Sequence, residues 1–396
     1  MMERIKKFFS NLYKKSAFQT IITSIGCALI GLIVGFIALA IINPGASWEG
    51  FKTMSLGFLK VPVKYDMRTE ALAKTITRTA PLIVSGVAIL FAYKAGLFNI
   101  GASGQYTMGV LASLFCAYIW ELPWYVCIFA AILAGALWGA IAGFLKAFLN
   151  VNEVISGIML NWIGLYLSSM IIKDQEKMWW KTLSKCYDLK NVNQSALLPN
   201  CGLDKLFADY QYITIGVFIA LFVALFMYIL LEKTTFGYEI KATGYNKNAA
   251  KYAGMKEKKN IVITLAISGA LAGLAAPLLY LTGIEPWECP ASVPAMGFDG
   301  ISAAFLGGLN PLGTIFSSFF ITHISIGGSR LDTSYYTPEI AKIVTSLIIY
   351  LCAFVLFVKD KLNKKVLEGE KALLNKKVVT DVNNNENKDE DKVEVK

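Results

Sequence analysis

Charge-free apolar runs alternate with polar stretches along most of the chain. Residues 122–145, 154–172, 210–231 and 261–284 contain no charged side chain. Each run is close to the ~20 residues that a helix needs to cross a bilayer. The pattern predicts a polytopic membrane protein.

Further apolar runs are shorter or interrupted. Glycine and amide residues crowd the start of 95–120, and Asn310-Pro311 breaks 300–329. Three prolines make 285–298 incompatible with a regular helix. With a first span in 16–48 and a last one in 339–358, the sequence predicts an all-α transmembrane helical bundle. It has about ten membrane segments, some of them broken or re-entrant, and both termini are cytoplasmic. The polar stretch 49–77 is mixed in charge and is expected to lie on the outer side of the membrane.

Composition agrees with this class. The chain is 55% hydrophobic with a mean hydropathy of +0.52. Its net charge of +10 suits basic cytoplasmic loops, and no basic patch interleaved with aromatic residues indicates nucleic-acid binding. The basic lead-in 1–15 precedes an apolar run that is too long for a cleavable signal.

Candidate chemistry is sparse. The chain has one histidine, His323, whose expected role is hydrogen-bonded packing, so a histidine-based metal site or catalytic triad is excluded. No Gly-Lys pair occurs, so the chain has no phosphate-binding loop for ATP. We expect no catalytic residue, metal or cofactor. Cys186 and Cys201 share one polar segment, which leaves a disulfide between them open.

The longest polar interruption inside the apolar region is 236–260. It contains six lysines and two glutamates, so the positive-inside rule places it in the cytoplasm. Residues 248–253 read as a short helix that ends at Gly254. The segment is either a docking surface for a soluble partner or a solvated basic connector.

A second candidate feature is the glycine-rich stretch from Ala95 to Gln105. Three glycines loosen a helix there, and freed backbone inside a membrane needs new hydrogen-bond partners. Asn99, Ser103 and Gln105 supply such partners or present them to a polar solute. The alternative is a cytoplasmic turn followed by a tightly packed helix start.

Two single residues within apolar runs are also candidates. Asp299 is an acid at the head of an uncharged run, so it is either a functional group or a helix N-cap. Asn161 lies in the middle of a predicted span, where an amide commonly bonds a neighbouring helix. The pattern around 79–115 has a weak echo in 261–320, which would form an inverted repeat of the kind found in transporters.

Five stretches together resemble a known family. Residues 80–105, 152–163, 242–255, 268–276 and 297–313 are similar to permease subunits of ABC importers. The superfamily handles branched-chain amino acids, ribose and other simple sugars, and the most similar branch comprises nucleoside permeases that work with basic-membrane-lipoprotein-like binding proteins. The similarity extends over about 75–358 and is much less specific for the solute than for the family.

The resemblance implies roles for particular residues. A cytoplasmic coupling loop, 232–260, would fit a cleft of the ATPase subunit. A substrate pathway would pass the glycine-rich stretch and the Asp299 region. The coupling residues would be Gly237, Gly244, Asn246, Ala249, Ala250, Tyr252 and Gly254. The pathway residues would be Phe98, Asn99, Gln105, Asn161 and Asp299.

The implied assembly has several partners. They are an ABC ATPase subunit that uses ATP and Mg, a second homologous permease, an extracellular substrate-binding lipoprotein, a nucleoside or similar polar solute, and the lipid membrane. The permease domain would be 16–358 in the cell membrane, with 173–209 extracellular and a disordered cytoplasmic tail, 359–396.

The expected function is therefore the permease subunit of an ATP-driven importer, with nucleosides as the first solute and a simple sugar or riboflavin as alternatives. An ion-coupled secondary transporter is the rival from another class. It would carry paired charges within its spans, and Asp299 is the single candidate. It would also leave the elaborate basic loop unexplained.

Overall fold

The computed structural model of the protein describes residues 16–60 and 65–352, together with 354, 357, 358, 360 and 361. The predicted lead-in 1–15 and all but two residues of the predicted tail 359–396 lie outside this part of the chain.

Helices dominate the described residues. In chain order they are α1 (Ser16–Ile42), α2 (Ser47–Leu56), α3 (Tyr65–Lys94), α4 (Ala102–Tyr118), α5 (Trp124–Leu149), α6 (Glu153–Asp174), α7 (Leu189–Val192), α8 (Leu203–Leu206), α9 (Gly216–Lys233), α10 (Thr235–Tyr245), α11 (Lys247–Tyr252), α12 (Glu257–Ala275), α13 (Pro277–Tyr280), α14 (Met296–Leu306), α15 (Pro311–Gly328) and α16 (Pro338–Cys352). Short 3₁₀ turns lie at Gly57–Lys60 and Gln194–Ala196, and a small antiparallel hairpin pairs β1 (Trp179–Trp180) with β2 (Lys185–Cys186).

The all-α fold class is confirmed. By length and composition, six membrane-crossing stretches occur in the described chain: Ile22–Ile42, Met67–Lys94, Trp124–Leu149, Glu153–Asp174, Gly216–Lys233 and Glu257–Tyr280. The other predicted membrane segments correspond to α4, α14, α15 and α16, which are shorter or less apolar. The predicted total of about ten is thus a mixture of full spans and partial ones.

Helix α3 is the centre of the bundle. It packs against α9, α12, α14 and α15, and 89% of its most apolar 18-residue stretch is buried. Helices α5 and α12 pack even more closely, because glycines face each other along their contact. A Cβ built on Gly135 would lie 2.2 Å from the Gly269 carbonyl oxygen, and one on Gly139 would lie 2.2 Å from that of Leu265. Such small-residue contacts replace the hydrophobic effect as a source of helix association in lipid.

The polar stretch 49–77 is largely helical in its described residues. Helix α3 begins at Tyr65, well before the predicted apolar start near residue 79. Buried threonine hydroxyls on this helix are satisfied within it, because they donate to the carbonyl oxygen four residues earlier. These bonds join Thr75 to Ala71 at 2.9 Å and Thr79 to Thr75 at 2.7 Å.

The predicted breaks are confirmed. The backbone is irregular from residue 281 to 295, and α14 begins at Met296. Asn310 starts α15 as an N-cap, with its side-chain oxygen accepting from the Leu312 amide at 2.9 Å. His323 is a packing residue as expected: its Nε2 lies 2.9 Å from the Ser55 carbonyl oxygen, and its ring contacts Phe58.

Candidate functional site

The glycine-rich break between α3 and α4 contains a closed network of amides. Asn99 Nδ2 donates to Gln105 Oε1 and to Ser268 Oγ, both at 2.8 Å. Gln105 Nε2 returns a bond to Asn99 Oδ1 at 3.2 Å. Ser268 Oγ in turn donates to the Ala88 carbonyl oxygen at 2.7 Å. The network therefore ties the break to α12 and α3, and its members are all buried.

Asn161 supports the same break from α6. Its Oδ1 accepts from the Gly104 amide at 2.7 Å, and its Nδ2 donates to the Ile100 carbonyl oxygen at 3.0 Å. Freed backbone groups at the start of α4 are thus satisfied by a side chain from a neighbouring span, as the membrane interior requires. In this conformation the Asn99, Gln105 and Asn161 side chains bond the protein itself.

Asp299 lies one turn inside α14. The N-cap position belongs to Ala295, so the N-cap interpretation of Asp299 was wrong. The carboxylate is half-buried, and no described residue gives it a hydrogen bond or an ion pair. Phe98, the remaining predicted pathway residue, is half-buried in the break between α3 and α4.

Helix α14 starts inside the thickness of the bundle. Ser85 Oγ donates to the Met296 carbonyl oxygen at 3.0 Å, and Ser85 is nine residues before Lys94, the last residue of α3. At 1.5 Å per residue the N-terminus of α14 is ~14 Å from that end of α3. A helix that begins at such a depth directs its positive dipole end and an irregular backbone toward the same region, an arrangement typical of solute sites in transporters.

A charged cluster on the first half of α3 was missed by the sequence analysis. An Arg78 Nη2 donates to Glu285 Oε2, and each side chain is about one-third exposed. Lys74, one turn earlier on α3, interacts electrostatically with Arg78 and Arg330. The spacing of Lys74 and Arg78 was a visible signal, but their partner is 207 residues from Arg78 in the sequence.

The basic interruption folds as a platform of two helices, α10 and α11. Asn246 joins them as the N-cap of α11, because its Oδ1 accepts from the Ala249 amide at 3.0 Å. The predicted short helix is confirmed, and Gly254 follows it with φ = 82°. Tyr245 and Tyr252 project outward, 91% and 94% exposed.

Other residues of this segment fix it to the bundle. A Cβ on Gly237 would lie 2.2 Å from the Leu230 carbonyl oxygen, so α10 folds back tightly on the end of α9. Asn260 Nδ2 donates to Thr243 Oγ1 at 3.3 Å, which connects α12 to α10. Ala250 is buried, whereas Ala249 and Gly254 are exposed. The predicted coupling residues thus fall into two sets. The outward set is exposed and comprises Asn246, Ala249, Tyr252 and Gly254, and the supporting set faces the bundle and comprises Gly237, Gly244 and Ala250.

Gly244 belongs to the supporting set and has a particular neighbour. A Cβ there would lie 2.6 Å from the Ala95 carbonyl carbon, at the turn where α3 ends. That turn needs Gly96, whose φ is 70°. The platform therefore rests directly on the break that contains Asn99 and Gln105.

Two clefts border the platform. One, of about 640 Å³, has lining residues from α5, α11 and the start of α12, including Lys251, Lys258 and Phe148. The other, of about 520 Å³, lies between α10 and α12 and includes Tyr238 and Lys259. Across the described chain, no three His, Cys, Asp or Glu side chains lie close enough together to hold a metal ion.

A multi-pass helical bundle with a broken central region and an exposed helical platform defines a membrane transport subunit. The chain belongs to the family of branched-chain amino acid transport system permease components, which matches residues 71–353. The predicted family and the prediction of a transport subunit rather than an enzyme are confirmed.

The relatives include nucleoside and sugar permeases. The chain is 35% identical over 301 residues to the guanosine ABC transporter permease protein NupP of Bacillus subtilis, covering 74% of this chain and 84% of that protein. It is 30% identical over 359 residues to the nucleoside ABC transporter permease protein NupB of Lactococcus lactis, covering 87% and 95%. It is 29% identical to the glucose ABC transporter permease protein TsgB13 of Haloferax volcanii, covering 70% and 74%.

Among solved structures, the chain is similar to a metal-chelate type ABC transporter in an inward-facing conformation. The identity is 15% and the TM-score 0.42, covering 83% of this chain and 98% of that chain.

Proposed function

We propose that this chain is the permease subunit of an ATP-driven importer of nucleosides. The names of NupP and NupB support this solute class, because both are permeases of nucleoside transporters and are 35% and 30% identical to this chain. The chain moves the solute across the membrane and performs no bond chemistry of its own.

The observation that carries the proposal is the contact between the platform and the α3–α4 break. Tyr252 is almost fully exposed on α11, and Gly244 on the preceding helix α10 rests on Ala95 and Gly96. An ATPase subunit bound to this surface would push on the break when its nucleotide state changes. Two conformations with different contacts are enough for such coupling.

The proposed assembly contains two homologous permeases, ATPase subunits and an extracellular binding lipoprotein. ATP and Mg are used by the ATPase subunits. The platform and both termini are cytoplasmic, and the segment containing β1 and β2 is extracellular, because the spanning helix α9 separates that segment from α10.

The pathway residues remain part of the proposal. The Asp299 carboxylate has no hydrogen-bond or ion-pair partner among the described residues and lies near the deep N-terminus of α14, which suits contact with a polar solute. Asn99, Gln105 and Asn161 brace the backbone beside it, and Phe98 lies in the same break. An alternating-access movement would exchange the internal bonds of these amides for bonds to the solute.

The test is uptake of labelled uridine, ribose and riboflavin by cells with and without this gene, at matched ATP. Loss of uridine uptake alone is the expected result. Loss of ribose uptake instead would favour the second candidate, a sugar permease. The similarity to TsgB13 supports that candidate. Loss of riboflavin uptake instead would change the assigned solute and leave the proposed importer architecture as it is. Uptake that survives ATP depletion and stops when the ion gradient collapses would overturn the ATP-driven mechanism.

A further inference from the structure

Two buried cysteines meet where the hairpin segment contacts the irregular stretch before α14. Cys186, the last residue of β2, is fully buried, and its backbone amide donates to the Trp287 carbonyl oxygen at 2.8 Å. Cys289 follows two residues later and is also buried. This backbone bond brings the chain around Cys289 onto β2.

In this structure both cysteines are free thiols, and Cys289 is close enough to Cys186 to affect the ionisation of the Cys186 thiol. Burial raises the pKa of Cys186 to about 12, and the nearby Cys289 adds to that increase. Burial also raises the pKa of Cys289. A disulfide requires neighbouring Cα atoms, about 4.4–6.8 Å apart, which the backbone contact between these segments favours.

We propose that Cys186 and Cys289 form a disulfide that fastens β2 to the stretch leading into α14. The inference rests on the proposed function, which places this end of the bundle outside the cell. Disulfides persist in that environment. The alternative partner for Cys186 is Cys201, which is exposed and has a left-handed backbone in the turn before α8. Its exposure disfavours a bond to a sulfur that is fully enclosed.

The bond forms by exchange with an external disulfide. One cysteine thiolate attacks that disulfide, giving a mixed disulfide and releasing one small thiol. The second cysteine thiolate then attacks the mixed disulfide and releases the second thiol. The two protein thiols lose two protons and two electrons, and the external disulfide is reduced by the same two electrons.

The timing follows from burial. Burial raises the pKa of the Cys186 thiol and so keeps it protonated at pH 7, whereas the thiolate is the attacking species. The exchange therefore takes place during folding, before the thiols are enclosed. Consequently, the bond should already be present in protein taken from growing cells, and the enclosed disulfide should resist added reductant.

The experiment is peptide mapping of the full chain from membranes, denatured in excess N-ethylmaleimide without reductant. The expected result is a disulfide-linked pair of peptides containing Cys186 and Cys289. The matched variant Cys201→Ser should retain this pair, whereas Cys289→Ser should convert Cys186 into a maleimide-blocked thiol. A peptide linking Cys186 to Cys201, or maleimide on both Cys186 and Cys289 of the unmodified chain, would overturn the proposal.

A second measurement separates this inference from the proposed function. A membrane-impermeant maleimide added to intact cells should label Cys201, because that side chain is exposed in the same segment. If Cys201 reacts only after the cells are lysed, this end of the bundle is not outside and the disulfide proposal fails with the orientation. The identity of the solute is decided by the uptake assay alone, so a wrong solute leaves the cysteine result unaffected.

Discussion

Gly96 and Gly244 touch backbone to backbone. A Cβ on Gly244 would lie 2.7 Å from the Gly96 nitrogen, and one on Gly96 would lie 2.9 Å from the Gly244 carbonyl oxygen. Neither position has room for a side chain. The platform and the broken centre of the bundle therefore form one continuous mechanical contact.

Substitution of Gly244 by alanine should separate these surfaces. The new methyl group would force backbone shifts that cost about 1–3 kcal/mol. We expect a lower thermal unfolding temperature in detergent and reduced uptake. The control is Gly26→Ala in α1, where an added Cβ would meet nothing within 4 Å. Equal effects of the two variants would show that the Gly96–Gly244 contact has no special role.

Tyr252→Ala should weaken ATPase binding without altering the fold. The ring is 94% exposed, so its removal disturbs little within the chain. An exposed aromatic anchor at an interface contributes about 2 kcal/mol, or roughly 30-fold in affinity. Co-purification of the ATPase from membranes measures the loss. Tyr335→Ala, which removes a 54% exposed ring at the opposite end of the bundle, should keep ATPase binding intact. Normal ATPase recovery with Tyr252→Ala would contradict the coupling proposal.

Asn99→Leu should reduce uptake while the ATPase stays bound. The change leaves the buried Gln105 amide without its partner, at a cost of about 1–3 kcal/mol. Because the two amides bond each other, the double variant Asn99→Leu/Gln105→Leu should cost less than the sum of the single variants. Unfolding temperatures test the stability effect, and uptake of labelled uridine tests the function. Strictly additive effects, or unchanged uptake, would remove Asn99 from the proposed role.

Glu285→Ala should weaken the packing of α3 on the stretch before α14, because it leaves the Arg78 guanidinium without its carboxylate. Hydrogen bonds to charged groups contribute about 1.5–3 kcal/mol, and partial exposure of this pair places the loss toward the lower value. The double variant Arg78→Met/Glu285→Ala should recover part of it. Glu176→Ala is the control, since its pair with Lys181 is 3.6 Å long and largely exposed, and it should change the unfolding temperature little. A loss no greater than that of the control would mean that the Arg78 pair is structurally neutral.

Local patterns predicted much of the fold. The helix of Lys247–Tyr252, the break at 95–101 and the new start at Asn310 all follow from glycine, proline and amide positions that act over a few residues. Helix α10 was not predicted as a separate element, because its stability comes from packing of Gly237 and Gly244 on distant segments.

The candidate site was less predictable. Asp299 is a residue type that favours the N-cap position, yet the irregular backbone of 281–295 ends four residues before it, and α14 starts at Met296. Arg78 and Glu285 meet only because α3 and the stretch before α14 are neighbours in space. The partner of a charged residue 207 positions away is set by tertiary packing, which no local pattern contains.

The glycine contacts between α5 and α12 also restrict how the sequence can vary. Any larger residue at Gly135, Gly139, Gly269 or Gly273 would press on the opposing backbone, so one change would require a compensating shift of a whole helix. The membrane-facing side of α5 has no such limit, because Phe129, Leu133 and Leu137 are exposed. A saturation scan of α5 should therefore show intolerant positions every four residues beside a freely variable stripe, and the intolerant positions would trace the contact between α5 and α12.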